Sequence, residues 1–188
     1  MNYYHILSDD SAYADRWFLG EPLADAGSQL DAREFRYGQP YSGPAPRIVP
    51  VEGAGRRVAF NLAAFDMPVV SSEIADILEQ LAPLDIQRYR VVVDSDICGY
   101  EILNLVSQER CVDEARSNVR KWGPEDGRPD KVGHYREFDP LVVDAQRTHG
   151  RHLFRIWGSL VELIVSGDVR DAISSVPDLG VVFQLVSR

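Results

Sequence analysis

Cysteine is scarce in this chain of 188 residues, which contains only Cys98 and Cys111. The pair does not form a CxxC motif and does not indicate a disulfide scaffold, and Cys98, beside Gly99, is predicted to pack as a small apolar residue. No apolar run approaches the roughly 18 residues that a membrane-spanning helix needs. The opening residues lack the basic start and long apolar stretch of a secretory signal peptide. We therefore expect a cytoplasmic protein with no membrane partner.

Basic residues are also in the minority, with 20 Lys and Arg against 29 Asp and Glu and a net charge of -9. Nucleic-acid binders normally display a basic surface, so we predict no nucleic-acid partner. The first 31 residues hold six acids and one base. An acidic surface attracts a basic protein and speeds encounter with it, although acids also serve solubility and turn formation. The predicted partner-binding residues are Asp9, Asp10, Asp15, Glu21 and Asp25.

Sequence motifs for catalysis, cofactors and metals are lacking as well. No GxSxG elbow or P-loop occurs, and Gly53-Ala54-Gly55 lacks the third glycine of a dinucleotide loop. His149 and His152 are separated by Gly150, which argues against a helical metal pair, and no third ligand is evident. We predict no catalytic, cofactor-binding or metal-binding residue. Asp94 and Asp96 could form a carboxylate pair, but their setting favours an ordinary turn.

Hydrophobic patterning predicts an α+β fold in one domain, residues 1–188. The portion 1–57 is rich in Gly and Pro and is predicted to be a loop layer held by aromatic residues, whereas 58–188 holds the helices and the sheet. Ile74, Ile77, Leu78 and Leu81 predict a helix over 72–81 that Ser71 or Ser72 caps and Pro83 ends. Sequential strands favour a mostly antiparallel or mixed sheet with segregated helices. Other predicted strands are 3–7, 58–61, 86–93, 100–106, 135–143, 152–157, 160–165 and 181–186, with a second helix at 167–176 capped by Ser166.

Two further features concern organisation. No repeat and no low-complexity tract is visible in the sequence. The segment 122–133 is predicted to be a loop because it contains three Gly or Pro turn pairs. Its acids, Glu125, Asp126 and Asp130, are neutralised locally by Arg128 and Lys131. Trp122 either anchors this loop on the core, which we favour, or offers a binding hot spot.

Several segments, taken in order along the chain, carry a resemblance to a known family. The chain resembles the immunity proteins of bacterial polymorphic toxin systems, in the eleventh family of the usual numbering. The resemblance covers nearly the whole chain and includes residues 3–11, 15–20, 65–71, 99–104, 111–113, 142–144, 152–155 and 163–166.

This resemblance implies a cytoplasmic antitoxin-like protein with an α+β fold, encoded beside a toxin gene. It implies no catalytic residue. The leading hypothesis is direct binding that neutralises the toxin. The alternatives are a small hydrolase or transferase that uses an Asp/His site, and a ligand-binding scaffold module. A neighbouring gene for a large protein with a variable C-terminal domain would favour immunity.

Overall fold

The computed structural model describes residues 1–94 and 97–187, and the side chains of all of these except Ala26, Ile97 and Cys98. The fold is α+β, with strands dominating. In chain order the elements are β1 Tyr3–Ser8, β2 Phe18–Leu19, β3 Ile48–Val49, β4 Val51–Gly53, β5 Phe60–Leu62, β6 Pro68–Ser71, α1 Ser72–Leu81, β7 Ile86–Val93, β8 Ile97–Leu105, β9 Gln108–Glu109, β10 Val119–Lys121, β11 Tyr135–Phe138, β12 Leu153–Ile156, β13 Ser159–Ser166, α2 Gly167–Ile173 and β14 Val181–Leu185.

Helix α1 forms where its cap and its breaker predict it. The Ser71 hydroxyl accepts the Ile74 N–H at 3.4 Å, which satisfies one of the unpaired amides of the first turn. Ile74 and Leu78 are fully buried, so the apolar stripe faces the core. Helix α2 ends at Ile173, three residues earlier than predicted, because the residue before Pro177 disfavours helical backbone.

The strands form two five-stranded sheets, where the sequence had suggested one. Their orders are β3-β7-β8-β6-β5 and β14-β1-β13-β12-β9. Both are antiparallel except at one edge, where β3 pairs parallel with β7 and β9 pairs parallel with β12. The mixed, mostly antiparallel character is therefore confirmed. Strand β11 is shorter than predicted because Pro140 has no N–H for a ladder, and it pairs only with β10.

The two halves of the chain repeat one arrangement, although no repeat is visible in the sequence. Each half has a first strand, a loop layer, a β-hairpin, a helix and a last strand. In each half, the hairpin and the last strand belong to the same sheet, and the helix connects them along the chain. The first strand of each half lies instead in the sheet of the other half. Strand β1 lies between β13 and β14, and β8 lies between β6 and β7.

Strand registers establish this equivalence residue by residue. Ser71 pairs with Tyr100 as Ser166 pairs with Tyr3, and Ile86 pairs with Leu105 as Val181 pairs with Ser8. The shift is 95 positions between β6 and β13 and between β7 and β14 (166 − 71 and 181 − 86), and 97 between β1 and β8 (100 − 3 and 105 − 8). Few identical residues accompany these shifts, so the sequence conceals the repeat.

Three cores follow from this arrangement. The central core joins both helices with the inner faces of both sheets, including Val70 and its counterpart Val165. Residues 9–59 cover the outer face of the first sheet, where Trp17 packs on Tyr100 with ring centroids 5.3 Å apart. Residues 106–152 cover the other sheet in the same way. Within the described residues, no helix is long and apolar enough to cross a membrane.

Candidate binding face

The tip of the β5–β6 hairpin, residues 64–67, contains two consecutive residues in the left-handed backbone region. Phe65 has φ 55° and Asp66 has φ 60°, a combination that tight hairpin turns usually assign to Asn-Gly. A residue with a Cβ loses about 1–2 kcal/mol in this region. The Phe65 side chain is 38% exposed, so burial offsets only part of this cost. Strain at a solvent-facing aromatic residue directs attention to a functional role.

Two arginines of the first loop layer hold the hairpin tip. The Arg33 guanidinium lies 3.7 Å from the centroid of the Phe65 ring. Arg36 donates to the Phe65 carbonyl oxygen at 3.3 Å and forms an ion pair with Asp66 at 3.6 Å. A cation over an exposed ring contributes about 0.5–1 kcal/mol. The tip and the two arginines therefore form one connected surface.

A cleft of about 590 Å³ opens beside the hairpin tip. One wall comes from the first loop layer, the other from the arm formed by β10, β11 and residues 122–134, and the floor from residues 158–161. The lining holds five Lys and Arg side chains and one carboxylate, Asp130, although the whole chain is acidic. We call it the basic cleft, and its basic residues are Arg33, Arg36, Arg128, Lys131 and Arg136.

The first wall is fixed by acids that the sequence suggested as partner contacts or turn formers. Asp31 accepts the Arg33 N–H at 2.8 Å, and Glu21 accepts the Ala32 N–H at 3.3 Å. These bonds cap the short turn that carries both wall arginines. Phe35 in the same turn is fully buried, which directs the basic side chains outward.

Trp122 organises the second wall. Its backbone N–H donates to the His134 carbonyl at 2.9 Å, and its backbone carbonyl accepts the Gly133 N–H at 2.9 Å. The Arg136 guanidinium and the Lys131 ammonium lie 4.5 Å and 5.2 Å from the ring centroid. The half-buried ring lines the cleft and holds two of its cations.

Ion pairs temper the positive charge of the basic cleft. Of the acids in the 122–133 loop, Asp130 pairs with Arg128 at 2.8 Å as predicted, whereas Asp126 pairs with Arg136 outside the loop. Lys131 differs, because no carboxylate of the described residues lies within 4 Å of its ammonium. The remaining pairs of the cleft are Arg33–Asp31 and Arg36–Asp66.

A buried arginine lies next to this cleft without a carboxylate partner. Arg155 is fully buried and donates to the carbonyls of Val161 at 3.0 Å and Asp66 at 2.8 Å. Among the described residues, none offers a carboxylate within ion-pairing distance, and the Arg155 Nε has no hydrogen-bond partner. Burial lowers the pKa of Arg155 to about 10, with Asp66 opposing that shift and Arg36 adding to it. Val161 lines the basic cleft, so this buried charge adjoins the cleft floor.

A smaller cleft of about 370 Å³ lies on the other side of the hairpin tip, where Ala63 and Ala64 line it. Its carboxylates come from Asp10 and Glu52, and we call it the acidic cleft. Phe18 at its edge is 65% exposed. The only cation in its lining, Arg16, is buried and donates to the Gly180 carbonyl at 2.9 Å. Burial lowers the pKa of Arg16, and Asp10 and Asp9 oppose that shift.

The five predicted partner-binding acids do not form one cluster. Asp10 lines the acidic cleft, Asp9 lies near enough to Arg16 to affect its pKa, and Asp15 precedes Arg16 in the chain. Glu21 instead supports the wall of the basic cleft, and Asp25 lies 3.3 Å from Arg47. Sequence reasoning missed the basic cleft, since its two walls are about 90 positions apart in the chain. Clustered bases at 33–36 and 128–136 were the only signal.

The histidines occupy four separate settings. His5 lies 2.7 Å from Glu162 across neighbouring strands, and His134 packs edge-on against Trp157. His149 contacts Glu109 at 2.8 Å, whereas His152 contacts Ser166 at 2.8 Å. The structure therefore does not bring His149 and His152 onto a common ligand. Among the described residues, no three His, Cys, Asp or Glu side chains gather as a metal site would require.

One constellation resembles a hydrolytic triad in composition but differs in geometry. The His152 Nδ1 lies 2.8 Å from the Ser166 hydroxyl and 3.9 Å from Asp168. A triad needs the serine and the acid on opposite ring nitrogens, whereas both approach Nδ1 here. Ser166 is also fully buried and caps α2 by accepting the Val169 N–H. Its hydroxyl is therefore occupied structurally.

The remaining nucleophile and carboxylate candidates contribute little to a site. Cys111 is fully buried, and burial raises the pKa of its thiol to about 12, with a smaller contribution from Glu109. Asp94 has φ 59° in the turn after β7 and lies 3.9 Å from Arg57. The possible carboxylate pair of Asp94 with Asp96, which the sequence did not favour, and the predicted packing of the Cys98 side chain involve positions outside the described residues.

No family model matches the chain, and no curated protein matches it.

Proposed function

We propose that this protein is an immunity protein that neutralises a bacterial polymorphic toxin by binding it directly. The observation that carries the proposal is the binding face, which we define as the hairpin tip together with the basic and acidic clefts on its two sides. Its half-exposed residues, Arg33, Phe65 and Trp122, belong to the residue types that dominate protein–protein recognition. The family resemblance of the sequence supplies the toxin as the partner.

The strain of the hairpin tip supports a binding role over a purely structural one. A turn with Asn-Gly would form at lower cost than Phe65-Asp66. An exposed ring at this position gains its free energy when a partner covers it and removes its surface from water. The ring also has two rotatable side-chain bonds, so little conformational entropy is lost on binding.

The opposite charges of the two clefts support specificity. A partner must place basic groups at Asp10 and Glu52 and acidic groups at the basic cleft, and a rotated or unrelated protein would bring like charges together. The histidines that an Asp/His site would use have separate contacts. His152 contacts Ser166, which caps a helix, whereas His5 and His149 lie against Glu162 and Glu109. These contacts favour binding over the hydrolase or transferase alternative.

Co-expression with the product of the adjacent gene tests this proposal. We expect the two proteins to co-purify, and we expect the chain to restore growth when that product alone is toxic. The variant Arg33→Glu, in the binding face, should lose both effects. Arg116→Glu is the matched control, because Arg116 is similarly exposed, pairs with a nearby acid and lies outside both clefts. A toxic neighbour that neither binds nor is neutralised would disprove the immunity function.

A further inference from the structure

From the charge and shape of the basic cleft we infer that it receives an acidic polypeptide segment of the partner, in an extended or loop conformation. The inference rests on the proposed function and identifies the chemistry of one contact. It adds a basic contact surface to the acids that the sequence predicted as partner contacts.

The lining of the basic cleft has an excess of positive charge. Five basic side chains face one carboxylate, and Lys131 has only an aromatic ring beside its ammonium among its described contacts. Each arginine has five N–H donors, of which one acidic neighbour uses at most two or three. Carboxylates of a partner would meet the remaining donors with charge-assisted hydrogen bonds.

The buried Arg155 lies next to the floor of the basic cleft, where it donates to the Val161 carbonyl. A buried charge without a counter-ion is costly, and proteins normally pair it. Among the described residues, the hydrogen-bond partners of Arg155 are carbonyls only, and the positive charge of Arg36 opposes its charged form. An anionic group in the cleft would reduce that repulsion by neutralising the potential on Arg36. Glu162 and Asp66 are the acids that already act on Arg155.

The arrangement of acids among the basic residues favours a polypeptide over a nucleic acid as the occupant of the basic cleft. The carboxylates of Asp31, Asp66, Asp126 and Asp130 stand among the basic side chains. A phosphate backbone carries one charge per nucleotide and would be repelled by these acids. An acidic polypeptide can place neutral or apolar residues opposite them. It can also pack on Tyr37 and Trp122, which line the cleft.

Binding of a fluorescent acidic peptide tests the inference. The probe is a twelve-residue peptide of Asp and Glu with a central Phe, followed by fluorescence anisotropy. The intact protein should bind it, and Arg33→Gln with Arg128→Gln and Lys131→Gln should weaken binding about tenfold or more. The control Arg90→Gln with Arg116→Gln and Arg147→Gln removes the same charge outside the basic cleft. No binding, equal losses in both triple variants, or tighter binding of a single-stranded DNA oligonucleotide at the same cleft would overturn the inference.

The same variants, tested on the adjacent gene product, separate this inference from the proposed function. If the basic-cleft variant no longer binds the gene product and the control variant still binds it, both the cleft inference and the immunity function are supported. If both variants bind and neutralise the product as well as the intact chain does, the cleft inference fails while the immunity function survives. If the basic cleft binds the peptide but the intact chain does not bind the gene product, the immunity function fails. The preference of the cleft for acidic polypeptides is then still supported.

Discussion

Ser166 occupies the position in the second half of the chain that Ser71 occupies in the first. Each ends a strand and accepts a backbone N–H at the start of the next helix, at 3.3 Å from Val169 and 3.4 Å from Ile74. The two differ in burial, since Ser166 is fully buried and also contacts the His152 ring at 2.8 Å. The same cap thus carries an additional contact in the second half.

Replacing these two serines should therefore have unequal effects. Ser71→Ala should lower the free energy of unfolding by about 1 kcal/mol, the usual value of an N-cap. Ser166→Ala should lower it by about 2 kcal/mol or more, because the His152 nitrogen also loses its partner. Urea denaturation followed by circular dichroism measures both, with the exposed Ser175→Ala as control. An equal or larger loss for Ser71→Ala would contradict the assignment.

Phe65→Asn separates the stability of the hairpin tip from its function. Asn tolerates positive φ better than Phe, so the free energy of unfolding should stay the same or rise by up to about 1 kcal/mol. The affinity for the partner should nevertheless fall about tenfold, because the exposed ring is lost. Leu84→Asn is the control, since Leu84 is 80% exposed and lies outside the binding face. Calorimetric titration against the partner and thermal unfolding give the two readouts. A variant that binds normally would assign the ring to folding alone.

Because of the buried Cys111 thiol, we expect the protein to lose stability in alkali. Its pKa is raised from 9.0 to about 12 by burial, so the native state keeps a proton that the unfolded chain releases. The stabilisation is fully present below pH 9 and is lost as the pH rises toward 12, with a slope of up to about 1.4 kcal/mol per pH unit.

Cys111→Ala isolates this contribution from that of tyrosines such as the buried Tyr3 and the half-buried Tyr100, whose pKa values are also raised by burial. The variant should be less stable at pH 7 because it leaves a small cavity. Its stability should fall less steeply between pH 9 and 10.5 than that of the intact chain. Parallel slopes in urea titrations over this range would show that the thiol titrates normally.

Local signals accounted for the elements whose contacts are local. The helix α1 was predictable because Ser71, the apolar spacing and Pro83 all lie within about a dozen residues. The β7–β8 hairpin was predictable for the same reason. The repeat of the two halves was not predictable, because β1 and β8 each lie in the sheet of the other half. Equivalent positions also keep the size and polarity of the side chain more often than its identity. Ile74 and Val169 illustrate this, as do Leu78 and Ile173.

The binding face was predictable only in part. Asp9 and Asp10 were selected by an uneven distribution of charge, which is readable in one dimension. The basic cleft depends on Arg33 and Arg128 lining the same space, and no local sequence pattern reports that residues so far apart in the chain come together. Glu21 shows the converse, since its charge suggested a partner contact whereas its carboxylate caps the turn at Ala32.

Asp10 of the acidic cleft and the nearby N-terminal acids Asp9 and Asp15 should govern the rate of association with the partner. Exposed charges act over a screening length of roughly 10 Å at 0.1 M salt and about 3 Å at 1 M, so they speed encounter more than they slow dissociation. Replacing Asp9, Asp10 and Asp15 together by Asn should slow association several-fold in low salt and leave the dissociation rate nearly unchanged. Asn keeps the acceptor oxygen that Asp9 offers to the Ala12 N–H, so the turn should persist.

The control for this experiment is the triple replacement of Asp113, Asp139 and Asp144 by Asn, which removes the same charge outside the acidic cleft. Two of these acids also accept backbone N–H groups in turns, as Asp9 does. Surface plasmon resonance at 0.05 M and 0.5 M salt measures both rates for each variant. The variant of Asp9, Asp10 and Asp15 should differ from the intact chain mainly in low salt, because salt already screens the attraction at 0.5 M. If the two triple variants associate at the same rate in low salt, the acids of the N-terminal region serve solubility, and recognition rests on the hairpin tip and the basic cleft.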